Sequence, residues 1–131
     1  MTQEDELRRD LIDTAKETAA LAYAPYSNFH VGAAALTTSR QIVRGCNVEN
    51  ASYGLTLCAE CSMISDMVQH AAGRLTHVVV CSPDGEVIPP CGRCRQLLVE
   101  HMEPGAQIVT PDGWAPLADL LPGAFLPSSL I

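Results

Sequence analysis

Hydrophobic and polar positions follow a helical period at the start of the chain. An apolar residue recurs at every fourth position, at Leu7, Leu11, Ala15 and Ala19. This spacing predicts an amphipathic helix over residues 3–23. Thr2 is a candidate N-cap, since its hydroxyl can accept a hydrogen bond from a free backbone N–H of the first turn. Pro25 would end the helix because proline disfavours helical geometry at the residue before it.

The rest of the pattern alternates short strands with short helices. Strands are predicted at residues 30–37, 41–48, 75–81 and 107–110, where small or β-branched apolar residues lie between turn residues. Helices are predicted at residues 57–71, 91–102 and 117–121. The first of these has an apolar stripe formed by Met63, Ile64, Met67 and Val68. This order of elements is typical of an α/β fold in which helices cover the faces of a sheet.

Length and composition limit the class of protein. The chain has 131 residues, which suits a single domain over residues 1–131. Hydrophobic residues make up 47% of it and charged residues 18%. The chain is therefore not disordered, and part of its apolar surface is expected to meet another subunit. The net charge of -7 argues against a nucleic-acid partner, because phosphate backbones attract basic surfaces.

The cysteines point to a metal rather than to disulfides. No apolar run approaches the ~20 residues of a membrane-spanning helix. The N-terminus, MTQEDELRRD, lacks the basic and apolar regions of a secretory signal. We therefore expect a cytoplasmic protein with no membrane partner. Its six cysteines would stay reduced there, so metal binding or catalysis is the better interpretation.

Two cysteine pairs have the spacing of zinc ligands. Cys91 and Cys94 are separated by two residues at a predicted helix start, and Cys58 and Cys61 repeat this spacing. Thiolates bind Zn²⁺ at ~2.3 Å, and the N-terminus of a helix favours the thiolate form. All four cysteines together would make a closed structural site. Three of them, Cys58, Cys91 and Cys94, would leave one coordination position open for catalysis.

Glu60 favours the catalytic alternative. In the signature of zinc-dependent nucleobase deaminases, a metal ligand precedes a Glu by two residues and a Pro-Cys-x-x-Cys motif follows. Here Cys58 precedes Glu60, and Pro90 opens the second motif. The Glu of that signature acts as general acid and base and is not a ligand. A lone helix glutamate would instead be a solvated surface charge, so the assignment depends on the paired pattern.

Other segments extend the match beyond the zinc motif. They are APYSNF at 24–29, VGAA at 31–34, NVEN at 47–50, CAE at 58–60, PCGRCRQ at 90–96 and LPGAF at 121–125. With these segments the chain resembles the small, homotetrameric, three-cysteine cytidine deaminases over nearly its whole length. The resemblance implies a three-layer α/β/α fold with a mixed five-stranded sheet. It also implies hydrolysis of cytidine or 2′-deoxycytidine to uridine or 2′-deoxyuridine and ammonia in pyrimidine salvage.

The resemblance assigns roles to individual residues. It implies Glu60 as the catalytic acid and base, beside a Zn²⁺ ion held by Cys58, Cys91 and Cys94. The implied contacts to the base are an aromatic wall formed by Phe29 and a backbone contact from Ala59. The sugar 3′-hydroxyl would be bound by Asn47 and Glu49. The residues that would reach a neighbour's pocket are Tyr53 and Phe125. The implied partners are a nucleoside and further copies of the chain in a homotetramer with shared active sites.

One position departs from the family pattern. Many of its members have an Arg directly after the catalytic Glu, where it offsets the charge of the thiolate ligands, and this chain has Cys61 there. Three thiolates and Zn²⁺ carry a net negative charge, which opposes ionisation of a zinc-bound water, so other donors must tune the site. Arg93 and Arg95 flank Cys94 and are the candidates for this role.

Two alternative functions stay open at this point. A deaminase of a cytosine-containing antibiotic such as blasticidin S would share the zinc motif, although the NVEN segment at 47–50 favours a nucleoside. A non-enzymatic module with a four-cysteine structural zinc would use Cys61 as the fourth ligand.

Overall fold

A mixed sheet forms the centre of the protein, whose computed structural model describes residues 1–130. Its five strands lie in the order β2-β1-β3-β4-β5. They are β1 (Gly32–Thr37), β2 (Ile42–Cys46), β3 (Leu75–Cys81), β4 (Met102–Thr110) and β5 (Gly113–Pro116). Only β3 and β4 pair in parallel, and the other neighbours are antiparallel. The predicted mixed five-stranded sheet is therefore confirmed.

Helices cover both faces of this sheet. They are α1 (Gln3–Ala19), α2 (Ala59–Gln69) and α3 (Gly92–Glu100). Neighbouring strand residues point to opposite faces, and the two buried clusters follow this alternation. Ala34 and Val79 pack with Leu11 of α1 on one face, whereas Val78 and Met63 belong to the cluster on the other face, which contains residues of α2 and α3. This arrangement confirms the three-layer α/β/α fold.

The N-terminal helix begins where the sequence predicts and ends earlier. Thr2 and Asp5 form a capping box, in which each side chain accepts a hydrogen bond from the other residue's backbone N–H. The helix ends at Ala19 rather than near residue 23. Tyr23 instead exchanges backbone hydrogen bonds with the segment after β2, donating to Asn47 and accepting from Glu49. No helix within residues 1–130 combines the length and hydrophobicity needed to cross a membrane.

Several other sequence-based expectations differ from the structure, among them the strand predicted at 107–110, which begins at Met102 because the helix before it ends at Glu100. The predicted helix at 117–121 is a 3₁₀ helix at Leu117–Leu120. Strand β5 was not predicted from the pattern, because its four residues are too few to show a period of two. Val68 was placed in the apolar stripe of α2, yet it is 62% exposed. That stripe is narrower than predicted, since the sheet covers only the side of the helix that carries Met63 and Met67.

Gly45 of β2 allows α2 to lie directly against the sheet. A Cβ atom at this position would overlap the backbone nitrogen of Met63 and the backbone oxygen of Ala59. Both of these atoms belong to the main chain of α2, which cannot turn away as a flexible side chain could. The lack of a side chain at Gly45 therefore sets the position of the first turn of α2, where Cys58 and Glu60 lie.

We predict that Gly45→Ala destabilises the protein by ~1–3 kcal/mol, as overpacking of a close contact does. Thermal unfolding monitored by circular dichroism would show this as a lower Tm. Gly54→Ala is the matched control, because a Cβ atom at that position meets nothing within 4 Å. Equal Tm values for the two variants would contradict the proposed role of Gly45.

Candidate metal centre and active site

Three cysteine sulfurs meet at the N-termini of two helices. Cys58 is the N-cap residue of α2 and Cys91 is the N-cap residue of α3, while Cys94 lies in the first turn of α3. Their sulfur atoms all lie within 4.8 Å of one another. Cys94 is buried, Cys58 is partly exposed and Cys91 is exposed. The structure thus brings together the three cysteines that the sequence analysis selected.

The sulfur triangle fits a zinc ion. A tetrahedral centre with Zn–S bonds of ~2.3 Å places its sulfurs about 3.8 Å apart, and the three sulfurs here lie within 4.8 Å of one another, which is compatible with that spacing. The two helix N-termini direct positive ends of their dipoles at the same point, which favours thiolates there. Soft thiolate donors in a compact group of three are suited to Zn²⁺ with one coordination position left open.

Cys61 lies outside this group. Within residues 1–130, the three-cysteine cluster is the only set of His, Cys, Asp or Glu side chains whose ligand atoms come close enough to hold a metal ion. Cys61 follows Cys58 in the first turn of α2, where its backbone N–H donates to the Cys58 carbonyl oxygen. The geometry therefore does not favour a closed four-cysteine site.

The three thiols differ in acidity. Burial raises the pKa of the Cys58 thiol and raises that of Cys94 well above its usual range, and the nearby Glu60 carboxylate adds to the effect at Cys94. Partial burial by itself would also raise the pKa of Cys91. Hydrogen bonds from Cys94 and from the backbone of Arg93 outweigh this effect, so the pKa of Cys91 is lowered. Cys91 is therefore the thiol that loses its proton most readily, and metal binding would remove the remaining protons.

Glu60 is a buried carboxyl group beside the sulfurs. It is only 4% exposed and occupies the first turn of α2. Burial raises the pKa of Glu60, although hydrogen bonds to its own backbone N–H and to the Cys94 thiol partly oppose the shift. A raised pKa makes a carboxylate a stronger base, which suits a group that must accept a proton and then release it.

A mainly apolar cleft of about 230 Å³ opens in front of these groups. Glu60 and the three cysteines of the cluster line it. Its walls include Phe29, Asn47 and Ala59 of the predicted substrate contacts. Sequence reasoning missed the remaining lining residues, which are Val31, Thr56, Val80, Ile88 and Pro89. These apolar or small residues carry no motif of their own and are recognised only once the chain is folded.

Asn47 and Glu49 anchor the loop that carries Phe29. Asn47 accepts a hydrogen bond from the Val31 N–H at 2.9 Å and donates one to the Phe29 carbonyl oxygen at 2.8 Å. One oxygen of Glu49 accepts from the N–H groups of Tyr26 and Ser27, and its other oxygen accepts from the Ser27 hydroxyl.

The Ser27 hydroxyl, followed by its backbone N–H, lowers the pKa of Glu49. The sequence analysis did not single out Ser27, although it lies in the quoted APYSNF segment. Its partner Glu49 is 22 positions away, too far for a local pattern to reveal the pairing.

The predicted aromatic contacts lie at or beyond the mouth of the cleft. Phe29 borders the cleft and is 59% exposed. Tyr53 and Phe125 are 73% and 57% exposed and do not line it. The Tyr53 ring packs edge-on against Tyr26, with 6.1 Å between their centroids. Within a single chain, Tyr53 and Phe125 therefore have no contact with the sulfur cluster.

The two arginines that flank Cys94 have different surroundings. Arg93 lies close to Cys61 and Cys58, and their negative charge raises the pKa of its guanidinium group. Arg95 is partly buried and donates to the backbone carbonyl oxygens of Pro90 and Leu120. Arg93 is therefore the cation placed to offset thiolate charge, whereas Arg95 binds the main chain.

Three thiol ligands for one metal ion beside a buried carboxyl group are the arrangement found in the zinc-dependent nucleobase deaminases. Comparison with known proteins supports this class. The model of the family described as the cytidine and deoxycytidylate deaminase zinc-binding region matches residues 5–109. The chain belongs to this cytidine and deoxycytidylate deaminase family, and its metal is zinc.

The relatives share both sequence and fold with the chain. A cytidine deaminase of Mycobacterium tuberculosis is 50% identical over 111 residues, which cover 85% of this chain and 84% of the relative. A crystal structure of cytidine deaminase from M. tuberculosis has a TM-score of 0.86 at 49% identity and covers 89% of this chain and 95% of that one. The cytidine deaminase structure from Mycobacterium leprae has a TM-score of 0.84 at 50% identity, with 87% and 96% covered.

We predict that Cys61→Ala keeps about one zinc ion per chain, whereas Cys58→Ala, Cys91→Ala and Cys94→Ala lose it. A catalytic zinc needs three protein ligands, and Cys61 lies outside the group that can supply them. Metal content measured by atomic emission on purified protein checks this. An empty site in Cys61→Ala would restore the four-cysteine interpretation.

Proposed function

We propose that this chain hydrolyses cytidine and 2′-deoxycytidine to uridine and 2′-deoxyuridine with release of ammonia. The observation that carries the proposal is the position of Glu60, 4% exposed, in the same cleft as the three sulfurs of Cys58, Cys91 and Cys94. A carboxyl group with a raised pKa next to a thiolate-bound metal suits proton transfer during attack of water on a ring carbon.

Bound zinc supplies Lewis-acid chemistry that lowers the pKa of a water molecule, so that a nucleophile is available near neutral pH. Glu60 accepts a proton from the attacking water and delivers it to ring N3 as C4 becomes tetrahedral. Glu60 then takes the proton of the new C4 hydroxyl and passes it to the exocyclic amine, which leaves as ammonia while the C4 carbonyl forms. The apolar walls exclude bulk water from Glu60 and so strengthen the electrostatic interactions at the reacting atoms.

The cleft holds the base, and its mouth holds the sugar. Its volume of about 230 Å³ is below the ~300–1,000 Å³ of typical ligand pockets, so one pyrimidine ring fills it. Phe29 forms an aromatic wall for that ring. Ala59 is 1% exposed and lies at the start of α2, so its contact with the base comes from the backbone.

Asn47 and Glu49 are the contacts for one sugar hydroxyl. A carboxylate has about four lone-pair positions, and the loop bonds to Tyr26 and Ser27 use three of those on Glu49. The Asn47 amide likewise keeps one donor and one acceptor position beyond its bonds to Phe29 and Val31. A single 3′-hydroxyl can donate to the free position of Glu49 and accept from the free N–H of Asn47, and because both sugars carry this hydroxyl, ribo- and deoxyribonucleosides both bind.

The active unit is a homotetramer in which neighbours complete each site. Several exposed apolar side chains lie in residues 23–29, 53–57 and 125, the segments that contain the aromatic residues considered above. They include Tyr23, Tyr26, Phe29, Tyr53, Leu55, Leu57 and Phe125. Exposed apolar groups of this number mark a surface for association. Tyr53 and Phe125 lie outside the cleft of their own chain, and they reach the cleft of a neighbour.

Residues 1–131 act as one domain in pyrimidine salvage in the cytoplasm. The site needs three reduced thiols, and all six cysteines are unpaired. A reducing compartment maintains that state, which supports this location.

The substrate assignment is tested by following turnover with ultraviolet absorption for cytidine, deoxycytidine, CMP and blasticidin S, with zinc content measured in the same samples. Turnover of the two nucleosides by the zinc-loaded protein is the expected result. Turnover of blasticidin S alone would replace the substrate assignment. Full zinc content without turnover of any of the four compounds would favour a structural zinc.

We predict that Glu60→Gln keeps its zinc and loses turnover by at least the ~10²–10⁴-fold typical of a general acid or base. The amide cannot carry the proton, whereas the metal ligands are unchanged. Glu17→Gln is the matched control, since Glu17 lies exposed on α1 and the substitution makes the same change in charge. Near-normal turnover by a zinc-loaded Glu60→Gln protein would exclude the proposed mechanism.

We predict that Phe125→Ala weakens nucleoside turnover and leaves zinc content intact, because Phe125 serves a neighbour's cleft and not a metal ligand. Leu130→Ala is the control for loss of an exposed apolar group from the same C-terminal segment. Light scattering measures the oligomeric state of each protein. An active monomer at assay concentration would refute shared sites.

Mixed oligomers give a sharper test of this sharing. Co-expression of Glu60→Gln chains with Phe125→Ala chains would create clefts that have Glu60 from one chain and Phe125 from the other. Activity would then rise above that of either variant alone. If Phe125 acts within its own chain, every cleft lacks one of the two groups and no activity returns.

A further inference from the structure

Arg95 joins the metal-binding loop to a distant part of the chain. Its Nε atom donates to the Pro90 carbonyl oxygen at 2.9 Å, and its Nη1 atom donates to the Leu120 carbonyl oxygen at 3.1 Å. Pro90 directly precedes the metal ligand Cys91, whereas Leu120 ends a 3₁₀ helix whose first residue, Leu117, is completely buried. One guanidinium group thus connects the loop to an element anchored in the core.

The loop before Cys91 has few other means of attachment. Pro89 and Pro90 have no backbone N–H, so neither residue can donate a hydrogen bond to the rest of the protein. Ile88 is the last residue before them whose N–H is bonded, to the Val80 carbonyl oxygen. Pro90 is buried, and a buried carbonyl oxygen requires a donor. Arg95 supplies it.

The hydrogen bond to Pro90 acts on Cys91 through the peptide plane. The carbonyl oxygen of Pro90 and the nitrogen and Cα atoms of Cys91 lie in one planar unit. Fixing the oxygen therefore fixes the orientation of this plane and with it the direction of the Cys91 N–Cα bond. Cys91 is exposed and makes no side-chain cap bond at the start of α3, so its sulfur depends on the main chain for its position.

We infer that Arg95 is a positioning residue that holds Cys91 in place to bind zinc together with Cys58 and Cys94. Lysine cannot replace it fully, because an ammonium group is a single point charge, whereas the guanidinium group donates in two fixed directions to two separate carbonyl oxygens. The inference rests on the proposed ligand role of Cys91 and does not depend on which nucleoside is deaminated.

The test is the zinc affinity of Arg95→Gln, measured on the zinc-loaded protein by competition with a chromophoric chelator. Groups that orient a metal ligand typically contribute ~10–100-fold to metal affinity, and we expect a loss of this size. Arg95→Lys should lie between Arg95→Gln and the parent protein. The cobalt-substituted protein adds a spectroscopic measurement, since its thiolate-to-metal absorption bands should shift when Cys91 moves.

Arg74→Gln is the matched control. Arg74 also donates from its guanidinium group to backbone carbonyl oxygens, those of Glu100 and Met102, at the opposite end of α3 from the cysteines. Its loss should lower the Tm without changing zinc affinity or the cobalt spectrum.

Parent-like zinc affinity in Arg95→Gln, or equal losses in both glutamine variants, would overturn the inference and leave Arg95 with a structural role only. If Arg95→Gln does not fold, Arg95→Lys decides, and parent-like affinity in that variant would overturn the inference. Because metal affinity is measured without substrate, such a failure would leave the proposed reaction untouched.

Discussion

The convergence of two helix N-termini on one small volume is the constraint on which the rest of this structure depends. Cys58 and Cys91 are the N-cap residues of α2 and α3, so the first turns of both helices must lie within reach of a single ion. The helices pack on the same face of the sheet, and Gly45 lets α2 lie directly on β2. A shift of either helix by about one ångström would open the sulfur triangle relative to the ~2.3 Å bonds that zinc needs.

The same convergence places a carboxyl group where folding alone would not favour it. A buried carboxylate has a large desolvation cost. An apolar residue at the position of Glu60 would fill the same space without that cost. Burial raises the pKa of Glu60, so the carboxyl group holds a proton more readily than an exposed glutamate does. The feature that costs stability is thus the one that permits proton transfer in the proposed mechanism.

Local signals in the sequence were sufficient for the elements that present the metal site. Spacing predicted the Thr2 cap, four of the five strands and the helices that begin near Cys58 and Cys91. The motifs indicated the zinc family, and the resemblance to that family implied the full five-stranded sheet. Strand β5 and the exposure of Val68 could not be predicted in this way, since both depend on which surfaces the folded chain covers. The pairing of Ser27 with Glu49 is likewise set by tertiary contact across 22 positions.

The metal centre and the cleft mouth differ in what a single chain supplies. All three sulfurs, Glu60 and the apolar residues that line the cleft come from one chain and are held by its own helices and sheet. At the mouth, Phe29 is more than half exposed, although its loop is fixed by Asn47 and Glu49. A ring stacked on Phe29 would therefore have one open side towards solvent. Since water at that side would weaken the electrostatic interactions at the reacting atoms, the need to cover it gives a physical reason for neighbouring chains to complete the proposed site.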